Sequence, residues 1–230
     1  MPRRPRSAPG GYAYHVLNRA AGGATLFRSS NDFLAFQNLL LQAHERVPLP
    51  ILSYCVLSNH WHFVVLPPRG EDGQVTAFFR WLTHTHAMRW RTAHHSVGEG
   101  PVYQGRFKSF PVQADEHLLT VCRYAERNAL SAGLVDRAVD WHWCSLWARE
   151  RGPEELRKIL SPWPVDRPAD WTKHVQQPLS RRELERVELS LKRGRPLGDD
   201  EWTARAVRKL GLGHTVRREG RPSKRAEREA

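Results

Sequence analysis

Apolar residues along the first 132 positions follow two different spacings. Alternation with polar residues predicts β-strands at residues 12–18, 51–57, 60–66 and 106–113. Repeats at every third or fourth position predict helices at residues 32–46, 74–93 and 116–132. We expect Asn31 and Asp115 to cap the first and the third of these helices. The order β-α-β-β-α-β-α predicts an α+β fold of the ferredoxin-like (split β-α-β) type, an antiparallel sheet with helices on one face.

The remainder of the chain has a different composition. Prolines and tryptophans mark a connection over residues 150–179. Ser180 and Glu183 fit a capping box for a helix that ends near Lys192, and a second helix is predicted over residues 199–210. The stretch from about Arg217 has the composition of a segment that is disordered until it meets a partner. We therefore divide the chain into a basic arm (1–11), a main domain (12–149), the connection (150–179) and a small, basic, helical C-terminal region with its tail (180–230).

The net charge narrows the classes of partner. The chain carries 36 Lys and Arg against 24 Asp and Glu, a formal charge of +12. Residues 180–230 hold half of this surplus, with 15 basic against 9 acidic side chains. Such an excess favours a polyanion through counterion release, although a ribosomal or membrane-surface partner would also suit it.

Targeting and redox signals are weak in this sequence. No apolar run approaches the ~20 residues that a membrane span requires, and no apolar stretch follows the basic N-terminus as in a signal peptide. The three cysteines form no CxxC pair, which argues against a disulfide framework and against a zinc ribbon. We therefore expect a cytoplasmic protein with no membrane partner.

Two histidines, His60 and His62, stand two residues apart on the predicted third strand. Positions i and i+2 of a strand share one face, so both imidazoles can reach one ion while Trp61 and Phe63 point into the core. Neutral imidazole is a common metal ligand. The alternative is two surface histidines beside a turn, and a structural zinc site would need four ligands, which the cysteines are not spaced to supply.

A possible partner for this pair lies on the helix predicted at residues 116–132. Tyr124 and Asn128 are four residues apart and therefore project from one helix face. Asn128 could offer a side-chain oxygen to the same ion, and Tyr124 could attack a phosphodiester. A phenol with a pKa near ~10 needs a nearby cation or a general base to lose its proton. The alternative for Tyr124 is an ordinary half-buried helical tyrosine.

Several segments resemble one known family. The segment LSNHWHFVV, which ends at Val65, is similar to the HUH motif (His, bulky apolar, His) of single-strand DNA transposases. The stretch from Tyr124 to Val135 resembles their tyrosine-bearing helix, Tyr-x-x-x-Asn-Pro-x-x-Ala-Gly-Leu-Val. Further matches, ending with the Arg-Gly-Arg-Pro and Gly-Arg-Pro tail of the REP-associated tyrosine transposases, are Tyr14-His15-Val16 with Asn18-Arg19, residues 103–109, residues 140–145, residues 193–196 and residues 220–222.

The resemblance implies a function and a set of site residues. It implies a ferredoxin-like domain with a Mg²⁺ or Mn²⁺ ion, for which His60 and His62 are ligands and Asn128 stands in the third ligand position. It also implies that Tyr124 is the nucleophile, leaving a 5′-phosphotyrosine and a free 3′-OH on DNA near hairpin-forming repeats. Two departures from the family pattern are Ala129 in place of proline, and Leu130-Ser131 in place of Val-Arg or Val-Lys.

Basic residues outside this set are candidates for DNA contacts. On the helix over 74–93 they accompany Trp81 and Trp90, a combination that suits stacking and phosphate binding on single strands, although the apolar members equally suit a core. The segment around Arg193 could enter a minor groove or be a solvated basic loop. The predicted DNA-binding residues are Arg19, Arg80, Arg89, Arg91, Arg106, Lys108, Arg193, Arg195 and Arg221.

Together these features favour a metal-dependent, single-stranded DNA endonuclease and strand transferase of the HUH tyrosine type. Two alternatives stay open at this point. One is a catalytically silent protein that binds single-stranded or hairpin nucleic acid, and the other is a metal hydrolase that uses water while Tyr124 is structural. The sequence also leaves open whether the protein is a monomer or a homodimer, and whether Tyr124 faces the ion within its own chain.

Overall fold

The computed structural model of the protein describes residues 8–217, so the first seven residues and the tail from residue 218, including Arg221, lie outside it. The described residues contain one antiparallel sheet of four strands: β1 (Ala13–Arg19), β2 (Ile51–Val56), β3 (His60–Val65) and β4 (Lys108–Val112). Their order in the sheet is β2-β3-β1-β4. The parallel strands β1 and β2 are separated by the antiparallel β3, which confirms the predicted split β-α-β arrangement.

Two long helices cover one face of this sheet. They are α1 (Ser30–Arg46) and α2 (Gln74–Ala93), and they pack on Trp61, Phe63 and Val65 of β3. The predicted cap of α1, Asn31, is wrong. The structure uses Ser29, because Ser29 and the Asp32 side chain bond reciprocally to each other's backbone N–H, whereas Asn31 lies inside the helix.

A further helix covers the opposite face, which the prediction left uncovered. All six residues of β2 are buried, so this strand needs apolar cover on both sides. The cover is α3 (Glu116–Glu126), which packs Leu118, Val121 and Cys122 against the sheet. The α+β class is thus confirmed, with α1 and α2 on one face as predicted and α3 added on the other.

The stretch predicted as a connection belongs to the second core. It begins at the end of α5 (Ser145–Arg151) and contains two further short helices, α6 (Glu154–Lys158) and α7 (Trp171–Gln176). Trp171 is buried, and its indole N–H donates to the buried carboxylate of Glu126 on α3. The segment is therefore packed against the main domain and does not separate two units.

The C-terminal helices are α8 (Arg181–Arg193) and α9 (Asp200–Lys209). The predicted capping box is confirmed, since the Ser180 side chain and Glu183 exchange hydrogen bonds with each other's backbone. Glu183 also accepts from the buried Arg123 of α3 at 2.6 Å, which fixes α8 beside that helix. Within residues 8–217, the structure contains no helix that is both long and apolar enough to cross a membrane.

Candidate active site

A cleft of about 760 Å³ opens at the edge of the sheet where β1 ends and β3 begins. It is walled by these two strands, by the loop that leads into β4, by α3 and by the last turns of α8. Arg19 pairs directly with His60 in the sheet, and Leu17 pairs with both His62 and Lys108. Alternation along the strands therefore brings the polar side chains to the α3 face, as the two-residue spacing of the histidines predicts.

His60 is half-buried at the mouth of the cleft. Its Nδ1 lies 2.6 Å from Oδ1 of Asn59 and donates to it, which leaves Nε2 with a lone pair. Burial, with the positive charge of Arg19, lowers the pKa of His60 to about 4, and the side-chain hydrogen bond of Asn128 partly offsets this. The ring is therefore neutral near pH 7 and able to bind a cation.

His62 lies deeper, below His60. It is buried, and its ring is nearly perpendicular to that of His60 at a centroid distance of 5.0 Å. Its Nδ1 is 3.0 Å from Nε2 of His15, and the rings of His15 and His62 stack with centroids 5.0 Å apart. Burial and the neighbouring charges hold the pKa of His62 well below its usual range, so this ring is also neutral.

Tyr124 and Asn128 complete the group from above. The helix predicted at 116–132 is divided at Arg127 into α3 and a short helix, α4 (Asn128–Ser131), so the prediction of one continuous helix is wrong. The Arg127 N–H still donates to the carbonyl of Arg123 at 2.9 Å, which preserves the helical turn across the break. Tyr124 therefore faces His62, with ring centroids 5.7 Å apart.

Asn128 connects the tyrosine to the histidines. Its side-chain hydrogen bonds raise the pKa of His60 and lower the pKa of Tyr124, so it contacts both groups. An amide that favours protonated His60 has its oxygen directed towards the site where a cation would replace that proton. All four predicted site residues thus come together within a single chain: His60, His62, Tyr124 and Asn128.

The electrostatics of Tyr124 involve a residue that the sequence did not single out. Burial raises the pKa of the phenol, and the carboxylate of Glu188 on α8 raises it further, whereas Asn128 and Arg19 lower it. Glu188 lines the same cleft. No motif marks this residue, because its position depends on how α8 docks against α3.

His15 is the second residue that the sequence did not assign to the site. It is fully buried on β1, against His62 and Tyr124. A signal for it was present, since positions 15, 17 and 19 share the strand face that carries the predicted Arg19.

The predicted DNA-binding residues fall into two groups. The cleft is lined by Arg19, Arg106, Lys108 and Arg193, and Arg195 lines a neighbouring depression with Arg182 and Arg186. The three arginines of α2 do not line the cleft, because α2 packs on the opposite face of the sheet: Arg80, Arg89 and Arg91. Trp90, between them, donates its indole N–H to the carbonyl of Leu26 at 2.6 Å and is half-buried.

Another group of potential metal ligands, at the start of α3, has a structural explanation. Asp115, Glu116 and His117 place their ligand atoms within 4.8 Å of one another. Asp115 is the helix cap that the sequence predicts, and its carboxylate accepts from both the backbone N–H and Nδ1 of His117. These contacts account for the group as an N-terminal cap of α3, some two turns away from Tyr124.

The chain resembles known proteins both in sequence and in fold. Residues 11–128, just over half of the chain, match the family model described as "Transposase IS200 like". The fold is similar to a solved structure of a REP-associated tyrosine transposase bound to a REP hairpin, with 17% identity and a TM-score of 0.50. The alignment covers 78% of this chain and 95% of that one. No curated protein matches the chain in sequence. On the strength of the family match, the chain belongs to the IS200-like transposases.

Proposed function

We propose that this protein is an endonuclease and strand transferase for single-stranded DNA, with Tyr124 as its nucleophile and a divalent cation at His60, His62 and Asn128. The observation that carries this proposal is the convergence of these four side chains, from β3, α3 and α4, at one end of a basic cleft. Two ordinary surface histidines would not be expected to lie against both Tyr124 and Asn128.

The donor set fits a divalent cation. Both imidazoles are neutral near pH 7, Nε2 of His60 carries a lone pair, and Asn128, which contacts His60, adds an amide oxygen. Two nitrogens with one oxygen suit Mn²⁺ better than Mg²⁺, which prefers an all-oxygen shell. When bound, such a cation would supply Lewis-acid polarisation of the scissile phosphate.

The reaction proposed for Tyr124 is a transesterification. The phenol releases its proton to solvent, its oxygen forms a bond to phosphorus, the bond from phosphorus to the 3′ oxygen breaks, and the 3′ oxygen takes up one proton from solvent in return. The products are a 5′-phosphotyrosine and a free 3′-OH, and attack by another 3′-OH reverses the step without an energy source. Burial and Glu188 raise the pKa of Tyr124 overall, whereas Asn128 and Arg19 lower it and so reduce the cost of forming the phenolate that this step requires.

The basic side chains that line the cleft favour a nucleic-acid strand as the substrate. Arg19 and Lys108 lie on adjacent strands beside the histidines, where a guanidinium and an ammonium can hold phosphates. The similar structure contains a REP hairpin, and this supports hairpin-forming repeats as the DNA that this protein recognises. The wall contributed by α8 makes the basic C-terminal region part of the same binding surface.

The decisive experiment uses a labelled single-stranded DNA that carries a hairpin repeat, incubated with the full chain and Mn²⁺. We expect a protein–DNA adduct that survives denaturation, and its absence in Tyr124→Phe, which keeps the ring and removes the nucleophile. Tyr54→Phe is the matched control, because Tyr54 is buried on the α1–α2 face and its hydroxyl has no hydrogen-bond partner within residues 8–217. Cleavage without an adduct would assign a water-dependent hydrolase, and binding without cleavage would assign a silent binding protein.

A further inference from the structure

Residues 140–145, which resemble a family motif, lie outside the lining of the cleft. The last three of them run along the outer edge of β2, where the backbone N–H of Val56 donates to the carbonyl of Trp143 at 2.9 Å. This pairing places Ser145 beside Tyr54, whose backbone N–H donates to the Ser145 hydroxyl at 2.8 Å. The motif is therefore fixed to β2, and β2 pairs directly with β3, the strand that carries the two histidines.

The Ser145 hydroxyl connects this strand to α3. Glu126, the last residue of that helix, is 0% exposed although its side chain is a carboxylate. Its Oε1 accepts from Ser145 Oγ at 2.5 Å, and its Oε2 accepts from the indole N–H of Trp171 on α7 at 2.6 Å. A buried carboxylate is costly unless it is hydrogen-bonded, so these two contacts hold the end of α3 against β2 and α7.

Glu126 lies between the two residues of α3 and α4 that face the histidines. Successive residues of an α-helix are turned by about 100° around its axis, so Glu126 projects from the side opposite to Tyr124 and Asn128. Glu126 is fully buried on that side, whereas both cleft residues are half-buried. The helix is divided at Arg127, within the same turn. The contacts of Glu126 thus restrain, from the back, the part of the helix where its own continuity is interrupted.

We propose that Glu126 is a positioning residue, which sets the distance and rotation of Tyr124 and Asn128 relative to the histidine pair. The inference rests on the proposed function for the roles of these two side chains, and it adds how the fold holds them in place. Ser145 ties the helix to the sheet that carries the histidines, and Trp171 opposes rotation from the other oxygen of the carboxylate. A nucleophile displaced by about 1 Å loses on the order of 100-fold in rate, so this restraint bears directly on catalysis.

Three variants separate positioning from packing. Glu126→Leu keeps a side chain of similar length but accepts neither hydrogen bond. Glu126→Gln preserves both contacts, because its amide oxygen accepts from Trp171 and its amide N–H donates to Ser145 Oγ. The Ser145 hydroxyl then turns to the carbonyl of Tyr54, which lies 3.1 Å away. Leu40→Ala truncates a buried side chain of α1 on the opposite face of the sheet, and so lowers stability without a change near α3.

The first test uses the full-length proteins without cation or DNA. Nuclear Overhauser effects between ring protons report whether Tyr124 lies against His62, since the two ring centroids are 5.7 Å apart. We expect this signal in the wild type, in Glu126→Gln and in Leu40→Ala, and its loss in Glu126→Leu. An unchanged signal in Glu126→Leu, or no signal in the wild type, would overturn the role of Glu126 whatever the protein does to DNA.

The second test measures the rate of protein–DNA adduct formation at saturating hairpin strand and Mn²⁺, at a temperature where every variant is folded. Glu126→Leu should form the adduct about 100-fold more slowly than the wild type. Its affinity for the strand should stay within about threefold, since every basic side chain of the cleft is retained. Glu126→Gln should recover the rate to within about fivefold of the wild type, because it restores both contacts. Leu40→Ala should match the wild type.

The two tests together distinguish the possible failures. Equal slowing of Glu126→Leu and Leu40→Ala would reduce Glu126 to a role in stability and overturn the proposal, as would equal slowing of Glu126→Leu and Glu126→Gln. Absence of the adduct in the wild type would overturn the proposed function, and the ring contact measured without cation would still decide the role of Glu126. If Glu126→Leu does not fold, Ser145→Ala takes its place in both tests, because it removes one of the two contacts. A wild-type signal and rate in Ser145→Ala would then overturn the proposal.

Discussion

The two faces of strand β3 show how one short segment can separate stability from chemistry. On the α1–α2 face, Trp61 stacks on Phe79 with ring centroids 5.5 Å apart and donates its indole N–H to Tyr103. On the α3 face, His62 contacts the rings of His15 and Tyr124, and His60 and His62 line a cleft with several basic side chains. Neighbouring residues of the same strand should therefore respond to substitution in opposite ways.

The basic residues divide between the same two faces. Arg89 of α2 lies on the surface beyond the aromatic core, where it reaches Gln42 of α1 at 3.4 Å. Lys108 lies in the cleft beside the histidines. Both attract a polyanion, but in the proposed function only Lys108, of the two, is placed to contact a strand held against Tyr124. Position relative to the sheet therefore divides two basic residues that the sequence predicts alike.

The largest expected difference is between two adjacent residues, His60 and Trp61. His60→Ala should lower DNA cleavage on the order of a thousandfold, since a lost cation site removes several kcal/mol of transition-state stabilisation. Its free energy of unfolding should fall by only about 1 kcal/mol, because the ring is half-buried at the cleft and makes no core contact.

Trp61→Ala should have a small effect on cleavage by the folded protein and a large effect on stability. Removal of this fully buried indole should lower the free energy of unfolding by about 3–5 kcal/mol. Urea unfolding of both variants, together with cleavage of the labelled hairpin strand at a temperature where each is folded, checks the pair. A stable Trp61→Ala protein, or an unstable His60→Ala protein, would contradict the division between the two faces.

The second prediction concerns the assembly of the site. Tyr124 faces His62 of its own chain, so each chain should act by itself. A mixture of Tyr124→Phe and His60→Ala proteins should show no cleavage above that of each variant alone, in gel assays across a range of concentrations. Restored cleavage in the mixture would show that Tyr124 works on the histidines of another chain.

The third prediction separates the two groups of basic residues. Lys108→Gln should weaken binding of single-stranded DNA about threefold and reduce the slope of log affinity against log salt by about 0.7, the loss expected for one phosphate contact. Arg89→Gln removes the same charge from the opposite face and should leave that slope unchanged. Fluorescence anisotropy at several salt concentrations measures both, and equal effects would refute the assignment of the cleft as the DNA path.

The smallest expected effect comes from Glu188. Its carboxylate raises the pKa of Tyr124, so Glu188→Gln should lower that pKa and increase the phenolate fraction at a given pH. The rising part of the pH–rate profile should move to lower pH, with a gain of about two- to threefold, since an exposed carboxylate is partly screened. A shift to higher pH would instead identify Glu188 as a group that the reaction needs in its charged form.

Much of the fold follows from local pattern. The Ser180–Glu183 capping box is predictable because its side chains satisfy the backbone within four residues. The same pattern occurs at Ser29 and Asp32, which makes Ser29 a better cap than the predicted Asn31. The short helices before Pro178 were missed because they have less than two turns of periodicity each. Tertiary contacts of Trp171, not its neighbours in sequence, hold α7 in place.

The residues of the candidate site likewise include some that the sequence predicts and some that depend on tertiary packing. Spacing on a strand and on a helix offers His60 with His62, and Tyr124 with Asn128, as two candidate pairs, since each spacing fixes a shared face. The resemblance to a known family is what joins the two pairs into one predicted site. Glu188 could not be predicted, because the position of α8 depends on the ion pair between Glu183 and Arg123, 60 residues apart in the chain. Spacing predicts which side chains share a face, and docking decides which faces meet.

The central claim is that Tyr124 becomes covalently joined to DNA. The most direct measurement is mass spectrometry of the wild-type protein after reaction with the hairpin strand and Mn²⁺, followed by nuclease and protease digestion. The account predicts a nucleotide attached through phosphate to the peptide that contains Tyr124, and no such mass in the Tyr124→Phe protein. Cleaved DNA with unmodified Tyr124, or a nucleotide on any other residue, would contradict it.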